Sequence, residues 1–293
     1  MTARPPRFLA LDITRKCQLS CGHCYNRSGP GLGHGEMLTV DWMVVLDQAA
    51  DLGVHTVQFI GGEPTSHPGF RSLVRYAVDQ GLHVEVYSNL VHVASELWPL
   101  YGCGRVSLAT SYYSPDPREH AAITGRPAVH SRTRANIAEA VRRDIPIRVG
   151  LVNVLPGQKT EQARAELVSL GVPEKKIRTD RVRAFGRAAQ PPADGPALGE
   201  LCGRCGDSAA AVLPSGDVVP CVMAAWMTAG NVRERGLHDI LAGPRMAGHR
   251  AAIAGRNAPR TGWCAPDDSC PPQDSNDCDP QNQPADYCDP DLP

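Results

Sequence analysis

The strongest constraint on the fold is an alternation. Short apolar segments take turns with segments of helical period from Phe8 to Val182. Phe8–Ile13, Val54–Ile60, Leu82–Tyr87, Arg105–Thr110, Ile147–Val154 and Ile177–Val182 read as strands, and Leu82, Val84 and Val86 fall on one face. Trp42, Val45, Leu46, Ala49 and Leu52 recur at helical spacing behind Thr39, which reads as the cap, and Gly53 reads as the stop. Phe70–Asp79, His92–Leu100, Ser131–Arg143 and Thr160–Leu170 read as further helices. Six β/α units in series predict an α/β fold with a parallel sheet covered by helices. Either an incomplete barrel or a doubly wound sheet satisfies that pattern. Both build their functional loops at the carboxyl ends of the strands.

Thirty basic residues balance 31 acidic ones, so no basic face for nucleic acid is expected. No apolar run reaches the roughly 18 residues of a membrane helix. Met1–Arg7 has no signal-peptide core. A soluble, cytoplasmic chain without membrane or nucleic-acid partners is the expectation. Eleven cysteines then stand out, because clustered cysteines in that compartment bind metal or do redox chemistry more often than they form disulfides. A disulfide-rich secreted protein is the alternative. The long cysteine-poor stretch between the two cysteine groups argues against it.

Cys17, Cys21 and Cys24 read C-x3-C-x2-C directly after the first strand. Thiolates suit an iron–sulfur cubane, and three of them leave one of its irons open. A zinc loop is the alternative on spacing alone. This pattern resembles the radical S-adenosylmethionine superfamily. The resemblance implies a partial (β/α)6 barrel and a [4Fe–4S] cluster whose open iron chelates S-adenosylmethionine. It also implies reductive cleavage to a 5′-deoxyadenosyl radical, with flavodoxin or ferredoxin as reductant. His23 stands where the family often has an aromatic residue near the adenine, and Tyr25 follows. Gly61-Gly62-Glu63-Pro64 resembles the family's GGE motif for the methionyl amino group. Glycines permit close backbone approach, and a carboxylate accepts hydrogen bonds from an ammonium. Ser88 and Asn89, after the third strand, suit the ribose. Ser111 and Asn153 end the fourth and fifth strands, and Arg183 and Arg187 follow the sixth. Phe185-Gly186-Arg187 resembles a segment of relatives that bear auxiliary clusters. Arg187 reads as a carboxylate binder, a cluster-tuning residue or a solvated arginine.

Residues 184–200, rich in Ala, Pro and Gly, read as a linker between a core of residues 1–183 and a small cysteine-rich C-terminal domain of residues 201–293. In that domain Ala210–Leu213 and Asp217–Cys221 read as strands around a Ser215–Gly216 turn, with a helix at Leu237–Leu241. The tail from Cys264 is rich in Asp and Pro, lacks Lys and Arg, and cannot form an apolar core. It is either disordered or tied down by metal. The order Cys202-x2-Cys205, Gly216-x4-Cys221, then Cys264, Cys270, Cys278 and Cys288 resembles the SPASM extension, which implies one or two auxiliary [4Fe–4S] clusters. The family pattern assigns Cys202, Cys205, Cys221 and Cys278 to the first, and Cys264, Cys270 and Cys288 to the second. Thr261 stands where the family has a further cysteine, so Asp267, Asp268, solvent or substrate is the fourth ligand. Zinc or a disulfide is the alternative to the second cluster. Cys103, apart from both groups, reads as a small buried core residue or as the hydrogen donor of an epimerase.

The resemblance implies maturation of a ribosomal precursor peptide by an oxidative C–C, C–O or thioether crosslink. The alternatives are a D-residue made by hydrogen return, dehydrogenation of a small molecule or protein side chain, and a non-enzymatic iron–sulfur or zinc module. With the first strand at Phe8, leader recognition is expected from a separate leader-binding protein or from the catalytic domain itself.

Overall fold

The computed structural model describes residues 6–189, 198–203 and 205–255. The expected alternation is present. Strands β1 (Phe8–Asp12), β2 (Thr56–Ile60), β3 (His83–Tyr87), β4 (Val106–Tyr112), β5 (Ile147–Asn153) and β6 (Ile177–Arg181) lie side by side, all parallel. The helices between them are α1 (Thr39–Asp51), α2 (Phe70–Asp79), α3 (Trp98–Tyr101), α4 (Pro117–Thr124), α5 (His130–Arg142) and α6 (Thr160–Ser169).

Three local expectations change. Leu38, not Thr39, caps α1, and its N–H is held by Asp41 at 2.8 Å. The segment read as a helix at His92–Leu100 begins instead as a turn at Ser95 and ends as the short α3. Helix α4 has no counterpart among the expected elements. Asp116 caps it through the N–H groups of Arg118 and Glu119, Pro117 opens it, and Gly125 ends it in the left-handed region.

The C-terminal strands β7 (Ala209–Val212), β8 (Asp217–Val219) and β9 (Gly230–Asn231) do not make a sheet of their own. β7 pairs parallel with β1, Phe8 against Ala209, and β8 and β9 follow antiparallel. The result is one nine-stranded sheet, ordered β6-β5-β4-β3-β2-β1-β7-β8-β9. Helices α7 (Leu237–Leu241) and α8 (Pro244–Gly255) finish the described chain.

The two faces of this sheet differ. Leu9, Leu11, Val57, Phe59, Val84 and Val86 face the helices and pack with Trp42, Leu46 and Leu73, all essentially buried. Burying each such side chain stabilises by about 1.5–3 kcal/mol. The opposite face alternates with it and carries buried polar side chains beside the apolar Ala10 and Ile60. Glu85 accepts from Gln58 at 2.6 Å and from two nitrogens of Arg148 at 2.7 Å each. These three side chains form one buried polar layer across β2, β3 and β5. Among the described residues no helix is long and apolar enough to cross a membrane.

Cys103 is not a core residue. It is exposed, in the turn between α3 and the amino end of β4. The seven residues of β4 hold it about 20 Å from the strand's carboxyl end. A hydrogen donor to a site at that end does not fit this position.

Candidate active site

The loop after β1 and the turn after β2 are locked backbone to backbone. Gly62 N donates to Thr14 O at 2.7 Å and Glu63 N to Lys16 O at 2.8 Å. A Cβ on Gly61 would lie 2.4 Å from Thr14 O, and one on Gly62 would lie 2.4 Å from Lys16 O. Only glycine allows this approach, and it fixes the cysteine loop against the second strand.

Glu63 departs from the expectation. The residue is 2% exposed, and its carboxylate accepts from Thr65 N, Thr65 Oγ1, Ser88 Oγ and Asn89 N, at 2.7 to 3.2 Å. Burial pushes its pKa up against the pull of those bonds. The side chain ties β2 to β3 instead of facing the cavity. Ser88 serves the same tie, and Pro64 is buried behind it. Asn153 is exposed and accepts from the hydroxyl of Thr160 at the start of α6.

The remaining expected residues surround one cavity with about 1150 Å³ of space, partly open to solvent. Cys17, Cys21, Cys24, His23, Tyr25, Gly61, Gly62, Asn89, Ser111, Arg183 and Arg187 all line it. Asn89 also donates to Cys17 Sγ at 3.7 Å. Cys24 Sγ donates to Asn26 Oδ1 at 3.0 Å. Burial pushes the Cys17 and Cys21 thiols up to about 12, so a metal must displace their protons on binding. Burial, followed by the charge of Arg187, pushes His23 down to about 4. Arg183 is held by Asp180 at 3.5 Å and by Glu200 O at 2.7 Å.

Several wall residues carry no motif in the sequence. Tyr113 bonds His23 at 3.2 Å, and its ring lies 5.4 Å from that of His120. Behind His120 come His130, then Tyr112 and Glu166, with His130 and Glu166 each at 2.6 Å from the Tyr112 hydroxyl. Tyr113 directly follows β4 and His120 sits on α4, so an Asp-Pro start and a Gly stop could have revealed the latter. Val222 and Met223 reach the same cavity from just beyond Cys221, with no local signal to announce them.

Cys202, Cys205 and Cys221 gather at the amino end of β7. Cys202 and Cys205 stand 3.5 Å apart, and both Cys202 and Cys221 push the Cys205 thiol far up. No three Cys, His, Asp or Glu side chains among the described residues close around a single-ion position. A cubane holds its ligands farther apart than one ion does. Cys264, Cys270, Cys278 and Cys288, with Asp267 and Asp268, lie outside the described residues.

A family model described as "Radical SAM superfamily" matches residues 11–169, more than half of the chain. The chain belongs to the radical SAM superfamily. A second model, SPASM, described as an iron–sulfur cluster-binding domain, matches residues 202–271. The radical SAM match implies a [4Fe–4S] cluster and S-adenosylmethionine as cofactors, and the SPASM match implies auxiliary iron–sulfur.

Among its relatives is an AdoMet-dependent heme synthase of Methanosarcina barkeri, 29% identical over 49% of this chain and 42% of its own length. The chain thus spans less than half of that relative. A PqqA peptide cyclase of Xanthomonas axonopodis pv. citri is 28% identical over 81% of this chain and 74% of its own length. Among solved structures, Streptococcus suis SuiB bound to S-adenosylmethionine superposes with a TM-score of 0.70 at 17% identity, covering 85% of this chain and 68% of SuiB. That likeness is one of fold.

The cavity fits the two groups. Its cysteines are the thiolate set that iron–sulfur clusters take. Ser28 Oγ and His23 Nδ1, both on its wall, are buried with no hydrogen-bond partner among the described residues. Buried polar atoms of that kind call for a polar ligand.

Proposed function

We propose that this radical SAM enzyme matures a ribosomally made peptide by closing an oxidative crosslink. One observation carries the reading. The cavity is walled on one side by the Cys17–Cys24 loop and on another by Val222 and Met223, directly after Cys221. A substrate there touches both cysteine regions. PqqA peptide cyclases are among the relatives, and SuiB has been solved with its precursor peptide SuiA. Both support a peptide as the substrate class.

Cys17, Cys21 and Cys24 would hold the radical cluster. Ser28, His23, Asn89 and Ser111 would orient S-adenosylmethionine, and the Gly61–Gly62 turn gives it backbone to lie against. Cys202, Cys205 and Cys221 would hold an auxiliary cluster, with Cys278 as the fourth ligand. When bound, these groups supply a 5′-deoxyadenosyl radical that takes hydrogen from a C–H bond and an acceptor for the electron left behind. The chain's own residues shape the surroundings of that chemistry. Tyr25, Ile60, Val152, Val222 and Met223 line the cavity and keep water from the reacting atoms. Glu63 keeps the β2 and β3 loops in register. His120 is pushed down to about 4 by burial and by His130, so it is neutral at physiological pH. Its Nδ1 has no hydrogen-bond partner among the described residues and is open to a polar group of the substrate, and the proton that bond formation releases passes to solvent at the open side of the cavity. On this reading residues 1–183 make the radical and residues 201–293 complete the oxidation.

The test is anaerobic reaction of the reduced holoenzyme with S-adenosylmethionine and short peptides encoded beside its gene. The expected product is two hydrogen atoms lighter, with one 5′-deoxyadenosine per crosslink. An unchanged mass with deuterium gained from D2O would mean epimerisation instead. Peptide-independent release of deoxyadenosine, stimulated only by small molecules, would refute the peptide substrate.

A further inference from the structure

We propose that Arg187 is a positioning residue for the radical cluster: it clamps the cysteine loop and makes the cluster easier to reduce. The proposal rests on the reading of Cys17, Cys21 and Cys24 as its ligands.

The segment after β6 runs directly over that loop. Gly186 has φ +56°, and a Cβ there would lie 2.2 Å from both Cys24 O and Tyr25 O. This contact carries Arg187 onto the loop. Its N–H donates to Cys24 O at 2.9 Å and its guanidinium Nε to Cys21 O at 2.7 Å. One residue thus satisfies the carbonyls of two of the three cysteines. Its side chain also lines the cavity.

The other end of the strap is anchored in the C-terminal region. Phe185 is buried and its ring lies 5.4 Å from that of Trp226, a few residues past Cys221. Phe185 also packs in one apolar cluster with Leu201, Cys205 and Met223. The strap therefore joins the SPASM region to the radical loop, with Arg187 as its contact.

A cluster gains negative charge when reduced. A fixed cation and hydrogen bonds beside its ligands favour that state, because net charge and hydrogen bonding set cluster potentials. Loss of the charge should move the midpoint to more negative values. Lysine at this position keeps the charge and should largely restore it.

The experiment is an EPR-monitored redox titration of full-length wild type, R187Q and R187K. It follows the reduced-cluster signal that changes on adding S-adenosylmethionine and is absent from a Cys17/Cys21/Cys24 triple-alanine variant. A wild type without such a signal would overturn the ligand reading, independently of Arg187. Given the signal, the expected result is a more negative midpoint in R187Q and one near wild type in R187K. Loss of the signal from R187Q alone also supports the charge. An unchanged midpoint in R187Q, or loss of the signal from both variants, would overturn the proposal.

Discussion

The two described cysteine groups sit at opposite ends of one strand pair. Cys17, Cys21 and Cys24 follow the carboxyl end of β1, whereas Cys202, Cys205 and Cys221 gather at the amino end of its neighbour β7. The first group comes from one continuous loop, gripped by the Gly61–Gly62 turn, by Asn89 and by the strap at Arg187. The second comes from two segments on either side of a hairpin. Their separate placement, with only Val222 and Met223 of the second region reaching the cavity of the first group, supports a division of the chemistry between the two groups.

The largest expected effect would break that division or establish it. Cys17→Ser is expected to abolish S-adenosylmethionine cleavage. Cys205→Ser should keep cleavage and lose the crosslinked product, with deoxyadenosine and product both counted by mass spectrometry. Loss of cleavage in both variants would make the groups one functional unit. Next comes the grip on the first group. Gly186→Ala must push two carbonyl oxygens away and is expected to cost roughly 3 kcal/mol, read as a lowered denaturation midpoint. A midpoint within error of wild type would show the loop to be free of the strap.

The first group also stands over a buried charge. Asp12, at the end of β1, is fully buried and raised to about 6, chiefly by burial and against the pull of Arg15 at 3.1 Å. A folded pKa above the ordinary 3.8 means that this stability is full below about pH 4 and is lost as pH rises through 6. Asp12→Asn should therefore gain on wild type as pH rises, by at most roughly 3 kcal/mol above pH 7. Parallel denaturation curves for the two proteins between pH 4 and 8 would contradict it. The smallest effect belongs to Cys103, far from both groups. Cys103→Ser should change stability by less than about 0.5 kcal/mol and leave deoxyadenosine release unchanged.

The sequence carried the strands and the first site well because both are local. Strand periodicity places Cys17 and Gly61 at neighbouring strand ends before any coordinate is known. What stayed hidden was long-range. Nothing near Glu63 says that Ser88 and Asn89 will occupy its carboxylate, so its motif pointed to a ligand where the fold makes a tie. Val222 and Met223 enter the cavity only because β7 docks on β1, a pairing that no pattern around Ala209 announces. The linker expected at residues 184–200 hid the strap in its first residues, because Ala, Gly and Arg read as loop composition whatever they touch.

The pairing of β7 with β1 has a consequence for folding. Its partners Phe8 and Ala209 lie about two hundred residues apart, and contacts of such separation form late and slowly. Until β7 arrives, β1 is a bare edge, and an uncovered apolar edge strand invites pairing with another chain. A fragment cut after the sixth strand would keep every residue of the cysteine loop and still lack the neighbour that covers its base. Such a fragment is expected to aggregate, the C-terminal strands covering an edge that the residues before them leave bare.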